Sequence, residues 1–350
     1  MTQGETGTDT RCEILQQPDT WLDTIDRCGR AKFRLPAPLV VTGAGSSYYA
    51  ARAVEAAWPG ARAISSTDLL IDGPRLLGAA GSLMSLARSG DSPESEAVVR
   101  TIQREMPEIR HLAVTCNPAG ALARLPGVQA LLLDPRTNDR SLVMTSSFSN
   151  LALAGSLLGP SAVDGDELTD ACLAASAALL KTESIAQRLA RTAPARIVFL
   201  ASPVLSGAAR EASLKIMEMT AGRVFTLAES FLGLRHGPMS FLDANTLIVC
   251  FVSSSPGPRR YELDLIAELR AKRLGHLVGI LPGGVPPDCF DTAIPSAGAR
   301  LPDWLRTPFD IVPVQLLALH LSHELGLHPD NPSPENIITR VVRGVTIYDE

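Results

Sequence analysis

Three stretches of the sequence hold residue types that could do chemistry in concert. In Arg210-Glu211-Ala212-Ser213-Leu214-Lys215-Ile216-Met217-Glu218-Met219-Thr220, the charged residues Glu211, Lys215 and Glu218 fall at i, i+4 and i+7. On a helix they share one face. Such spacing commonly marks a solvated salt-bridge face. Against that, Leu214, Met217 and Ala221 leave little of this helix fully polar. A carboxylate beside a lysine, partly withdrawn from water, can act as a general base with a tuned pKa. In Gly233-Leu234-Arg235-His236-Gly237-Pro238 the flanking glycine and proline place His236 in a loop. There an imidazole can reach a cleft and move protons near neutral pH, although a lone loop histidine is usually unremarkable. His320 and His323 stand at i, i+3 with no third ligand in sight, so no metal is expected.

The remaining candidates would hold an anion. Val40-Val41-Thr42 runs into Gly43-Ala44-Gly45-Ser46-Ser47 and then into an Ala-rich helical pattern. That is the layout of a strand, a tight turn and a helix N-terminus, whose free N–H groups and dipole favour an anion such as phosphate. Gly45, Ser46 and Ser47 are therefore candidate phosphate ligands. The alternative is an ordinary turn in which glycine and serine serve as turn and cap residues. A second such stretch, Arg88-Ser89-Gly90-Asp91-Ser92-Pro93-Glu94-Ser95, follows the apolar run Leu83–Ala87. Neighbouring strands of a doubly wound sheet share one crevice at their C-terminal ends. Ser46, Ser47, Ser89 and Ser92 could thus surround one phosphate, with Arg88 supplying charge. Alternatively Ser92 is a plain N-cap with Ser95 as its partner. Two turns of the same kind favour the phosphate reading.

Elements able to position these groups are legible as apolar runs at Leu39–Thr42, Ala63–Ser66, Leu83–Ala87, Leu112–Thr115 and Ala130–Leu133. Stretches with helical spacing, such as Ser95–Glu105, lie between them, which predicts a parallel sheet covered on both faces. After a mostly helical region (Leu151–Leu158, Leu168–Ala190) the rhythm restarts at Ile197–Ala201, Val224–Leu227, Leu247–Val252 and Leu277–Leu281. Shifting the sequence by 158 residues lays Val40-Val41 on Val198-Phe199 and Ala50-Ala51-Arg52 on Ala208-Ala209-Arg210. The expected organisation is α/β, two tandem doubly wound units: a lead over 1–36, units over 37–190 and 191–330, and a tail over 331–350 packing on the core. The lead should contain a short amphipathic helix at best, around Trp21–Ile25. The copies differ at the turn, where Gly43-Ala44-Gly45-Ser46-Ser47 becomes Ala201-Ser202-Pro203-Val204-Leu205. The first unit keeps the phosphate handle and the second is free to carry chemistry.

Composition narrows the function. A net charge of −5 gives no reason to expect nucleic acid or an anionic membrane as partner. No signal-peptide pattern opens the sequence, and no apolar run approaches the roughly 20 residues that cross a bilayer. Six scattered cysteines without a CxxC pair read as free, mostly buried thiols. The expectation is a cytoplasmic protein without metal or cofactor.

With those residues on the page, the sequence resembles the sugar isomerase (SIS) fold, flavodoxin-like in each unit. The resemblance rests on Gly43–Ser47, Ala87–Ser95, Glu211–Glu218 and Arg235-His236-Gly237-Pro238, in double-domain order as in the isomerase half of glucosamine-6-phosphate synthase. Thr115-Cys116-Asn117-Pro118, Arg136-Thr137-Asn138-Asp139, Met144-Thr145-Ser146-Ser147-Phe148, Leu232–Pro238 and Arg340–Tyr348 are similar to one subgroup. That subgroup is the tagatose-6-phosphate ketose/aldose isomerases, regarded as galactosamine-6-phosphate deaminase/isomerases. The resemblance implies that Ser46, Ser47, Arg88, Ser89 and Ser92 bind phosphate, and that Glu218 is the base moving a proton between C1 and C2. It further implies that Lys215 assists and that His236 opens the sugar ring, acting on the neighbouring subunit's site in a homodimer or dimer-based oligomer. One departure stands out. The synthase has a Schiff-base lysine near its C-terminus, whereas Tyr348-Asp349-Glu350 has none. The implied substrate is a phosphorylated amino sugar, galactosamine 6-phosphate, giving tagatose 6-phosphate and ammonia. Isomerisation without nitrogen loss, or non-catalytic sensing of a sugar phosphate, are the alternatives.

Overall fold

A computed structural model describes residues 8–342 and 344–348. Residues 1–7, Arg343, Asp349 and Glu350 fall outside it, and with them the start of the lead and part of the C-terminal motif.

The chain opens with helices α1 (Asp9–Leu15) and α2 (Gln17–Arg30). The first unit then alternates β1 (Leu39–Gly43), α3 (Ser46–Ala57), β2 (Arg62–Ser65), α4 (Ser66–Leu77), β3 (Ser82–Ala87), α5 (Pro93–Glu105), β4 (Arg110–Thr115), α6 (Ala121–Arg124) and β5 (Val128–Leu132). Helices α7 (Ser146–Leu157) and α8 (Gly165–Ala190) lead to the second unit: β6 (Arg196–Ala201), α9 (Ser206–Met219), β7 (Phe225–Glu229), β8 (Leu247–Phe251), α10 (Pro256–Ala271), β9 (His276–Leu281) and β10 (Thr292–Pro295). Two helices, α11 (Asp303–Asp310) and α12 (Val312–Glu324), follow.

Among the described residues the strands form two five-stranded sheets, ordered β2-β1-β3-β4-β5 and β10-β9-β8-β6-β7. Every pairing is parallel. Read outward from the same edge, the two orders are identical. The repeat seen in the sequence is thus a repeat of topology, and in each unit the order reverses between its first and third strands. Central strands β1, β3 and β8 are buried throughout, and β6 in all but Arg196, as expected of a sheet covered on both faces. The edge strands β2, β5 and β7 are partly exposed.

One hydrophobic core joins the inner faces of both sheets through α2, α3, α7, α8, α9 and α12. Smaller clusters fill the outer face of each sheet. The recurring Ala-Ala-Arg motif finds its explanation at the centre. Ala50, Ala51 and Ala53 of α3 and Ala208, Ala209 and Ala212 of α9 are buried, and these small side chains let the two helices approach each other. At Gly207 a Cβ would stand 2.8 Å from the Tyr49 carbonyl oxygen and 2.9 Å from the Ala53 nitrogen. Only glycine allows backbones to meet that closely.

The lead differs from its expected form. Its α2 runs over 14 residues and belongs to the core. Trp21 is fully buried, with its indole N–H donating to Ser149 Oγ at 2.9 Å. Thr24 donates to Asn150 at 2.7 Å and Gln17 to Gln315 at 2.7 Å. The polar residues of α2 are satisfied against polar residues of α7 and α12. Strand β10, too short and mixed to register as an apolar run, also went unforeseen. All six cysteines are free. No helix among the described residues is long and apolar enough to cross a membrane.

Candidate active site

The turn after β1 starts the site. Gly45 adopts φ 55° and ψ −128°, a conformation open to glycine and strained for other residues. This bend delivers Ser46 and Ser47 to the first turn of α3, both buried. The turn after β3 lies at the same end of the sheet, because β1 and β3 pair in parallel with Thr42 opposite Ser85. Ser92 is the N-cap residue of α5 with Pro93 beside it, but its hydroxyl donates to Glu94 at 2.6 Å rather than capping the backbone. Ser89 Oγ accepts from the Asp91 N–H at 3.3 Å. Ser47 Oγ has one neighbour of its own, Met144 Sδ at 3.8 Å. Among the described residues no carboxylate accepts from Ser47, Ser89 or the backbone of residues 88–90.

Helix α9 brings its charged face to this turn. Lys215 Nζ lies 3.2 Å from Glu211 Oε1 and 2.9 Å from Glu218 Oε2. The Ser46 hydroxyl donates to Glu211 Oε1 at 3.1 Å, and Lys215 Nζ reaches Ser46 Oγ at 3.4 Å. Glu211 and Lys215 side chains are fully buried, and only Glu218, 23% exposed, meets solvent. The i, i+4, i+7 face is therefore a buried ion network spanning the two units. Burial pushes the Lys215 ammonium down, but the charges of Glu211 and Glu218 outweigh it, so the pKa is raised and the lysine stays charged. Burial drives the Glu211 carboxyl up to about 7; Lys215 opposes the shift and the nearby charge of Glu218 adds to it. Glu211 Oε2 has no hydrogen-bond partner. The result is one ammonium with two carboxylates, of which only Glu218 can touch a ligand.

Arg88 is placed differently from the expectation of a free phosphate-binding charge. Its Nη1 donates to the Ser141, Leu142 and Val143 carbonyls at 3.2, 3.0 and 3.2 Å, and its Nη2 to that of Arg340 at 2.5 Å. Burial lowers its pKa, with the Asp139 charge opposing. Among the described residues its partners are carbonyl oxygens and not carboxylates. The 138–145 loop that it holds is clasped from both ends of the chain. Glu13 of α1 accepts the Arg140 N–H at 2.5 Å and also the Ser141 hydroxyl. Arg340 donates to the Asp139 carbonyl at 2.8 Å and to Asn138 Oδ1 at 2.7 Å. Sequence reasoning named the two ends of this loop, Asn138-Asp139 and Met144-Thr145, only as part of the resemblance and gave no role to the loop. It ends at Thr145, the N-cap position of α7, whose hydroxyl is buried without a partner beside Met144.

His236 lies in the loop between two short 3₁₀ turns and is exposed. No hydrogen bond or ion pair joins it to Glu218 or Lys215 of its own chain. Among the described residues no group of three or more His, Cys, Asp or Glu side chains is placed to hold a metal.

Comparison with known proteins agrees with this architecture. No family model matches the chain. The D-galactosamine-6-phosphate deaminase AgaS of Shewanella sp. (strain ANA-3) is 35% identical, spanning 97% of this chain and 91% of its own. That of Escherichia coli is 34% identical over 98% of this chain and 96% of its own. Among solved structures, a tagatose-6-phosphate ketose/aldose isomerase from Escherichia coli superposes with a TM-score of 0.83 at 31% identity, covering 98% and 97% of the two chains.

Proposed function

The chain belongs to the D-galactosamine-6-phosphate deaminase AgaS family of sugar-phosphate isomerases, and from that premise we propose how its residues act. The substrate is galactosamine 6-phosphate, and the products are tagatose 6-phosphate and ammonia. The turns after β1 and β3 grip the phosphate through Ser47, Ser89, Ser92 and backbone N–H groups, with Gly45 setting the bend and Arg88 adding positive potential. His236 of the partner subunit assists ring opening. That assignment is supported by the exposure of this loop and by His236 making no hydrogen bond or ion pair with its own chain's Glu218 among the described residues. It makes a homodimer the active unit, in the cytoplasmic setting expected from the sequence.

In the open chain Glu218 removes the C2 proton, giving an enolamine, and delivers a proton to C1. The C2 imine that results takes up water, and ammonia leaves as the ketose forms. Lys215 stays charged between Glu211 and Glu218 and holds the Glu218 carboxylate in place through their ion pair at 2.9 Å. The phosphate contacts, remote from the reacting carbons, hold C1 and C2 over the carboxylate.

The observation that carries this reading is the network Ser46–Glu211–Lys215–Glu218, which ties the anion turn of one unit to the acid–base helix of the other. Its test is an assay of ammonia and ketose from galactosamine 6-phosphate and glucosamine 6-phosphate side by side. Equal molar ammonia and ketose, faster with the galacto epimer, is the expected result. Ketose without ammonia from either would refute deamination.

A further inference from the structure

The second unit reverses its strand order between β6 and β8, the place that corresponds to β1 and β3 in the first. Its turn after β8, Val252-Ser253-Ser254-Ser255-Pro256, mirrors Arg88–Pro93. Ser92 and Ser255 are both N-cap residues followed by proline, of α5 and α10 respectively. What fills the two places differs. In the second unit Glu262 accepts the Ser253 N–H at 2.8 Å and also the Ser202 hydroxyl. Asp303 accepts the Ser254 N–H at 2.8 Å and the Ser253 hydroxyl, and Arg306 Nη1 donates to it at 2.8 Å. Counted from the proline, Glu262 of α10 stands where α5 has Val99, and both positions are buried to 1% exposure.

Two N–H groups and two hydroxyls at the switch point of a doubly wound sheet thus converge on negative oxygens supplied by the chain. We propose that the second unit retains a tetrahedral-anion cradle whose resident anion is its own pair of carboxylates, Glu262 and Asp303. The groups that would bind phosphate in this unit are present and already occupied. A cavity of about 480 Å³, lined by Ser202, Pro203, Phe231, Leu232, Tyr261 and Glu262, opens beside it and gives solutes access. The plug confines phosphate binding to the first unit, so a sugar phosphate meets the acid–base helix α9 in one orientation. The inference does not rest on the reaction proposed above, because the carboxylates seated there are themselves anions.

Removing a plug should bare the cradle for an external anion. The test follows thermal unfolding of the full-length wild type, Glu262→Ala and Asp303→Ala in inorganic phosphate or in chloride of equal ionic strength. Each variant should melt about 5 °C or more below wild type in chloride, since buried donors lose their acceptors. Phosphate should restore at least half of that loss with saturable, millimolar dependence, and should raise the wild type by less. If a variant is unfolded in chloride, recovery of folded protein by dialysis into phosphate is the same result read another way. A response specific to phosphate in either variant supports the cradle. Equal responses to phosphate and chloride, or no response from both variants, would overturn it.

Discussion

Helices α3 and α9 hold corresponding places in the two units and pack on one another, yet one is nearly bare of charge and the other carries Glu211 and Lys215 fully buried and Glu218 at the edge of solvent. At the 158-residue offset Glu211, Lys215 and Glu218 of α9 correspond to Ala53, Ala57 and Gly60. The turns differ in the opposite sense. The one ahead of α3 keeps glycine and serine. The one ahead of α9 has Pro203, Val204 and Leu205, and its cradle is filled by carboxylates. Duplication supplied two switch points and two inner helices. On the proposed reading, grip belongs to one copy and proton chemistry to the other, and close packing of small residues along α3 and α9 puts Ser46 within hydrogen-bond distance of Glu211.

Breaking that division should give effects of different kinds in the two units. The largest expected effect on stability comes from Lys215→Met. It leaves Glu211 and Glu218 without their cation in a buried site, a loss of about 3–5 kcal/mol, measured by urea denaturation. The matching change on α3, Ala57→Met, adds volume without removing charge. It should cost less, about 1–3 kcal/mol.

Next comes a matched pair of serines, each two residues past the third strand of its unit. Ser89→Ala should lower kcat/KM roughly 10-fold through KM and leave stability unchanged, since one charge-assisted hydrogen bond to phosphate is lost. Ser253→Ala should do the reverse: steady-state constants unchanged, with a loss of about 1–3 kcal/mol because Asp303 loses a donor. If both serines changed KM alike, the second cradle would be no plugged copy of the first.

Gly207→Ala tests the interface between the copies. Its new methyl would sit against the α3 backbone and should cost about 1–3 kcal/mol, with a fall in kcat as Ser46 separates from Glu211. A last effect is in pH dependence. Glu211 titrates near 7 in the folded protein and near 4.5 when unfolded, so the native state holds the extra proton between those values. Its contribution to stability therefore declines as pH rises from about 4.5 to about 7. Glu211→Gln should flatten the stability profile across that window, as read from midpoints at several pH values.

Much of this was legible in the sequence, for identifiable physical reasons. Buried parallel strands are continuous apolar runs, so nine of the ten strands announced themselves. Helical spacing put Glu211, Lys215 and Glu218 on one face before any coordinates did. Spacing could not say that this face turns inward, because burial depends on α3, a partner 160 residues away. Nor could it foresee the seat of Arg88, which is fixed by carbonyls of the 141–143 loop and of Arg340, groups every residue type carries. The lead is longer than the short helix expected around Trp21–Ile25 because Gln17, Thr20 and Thr24 are satisfied by partners on α7 and α12, which local spacing does not reveal.

The central claim is that Glu218, supplied by the second unit, moves the proton at C2 of a sugar held by the first. The direct measurement is loss of C2 deuterium from 2-deuterated galactosamine 6-phosphate, followed by proton NMR with wild type and Glu218→Gln at saturating substrate. The account predicts that the variant still binds the sugar phosphate, while C2 exchange and ammonia release fall together by about 10²–10⁴-fold, the usual worth of a general base. Exchange at the wild-type rate in Glu218→Gln would contradict it.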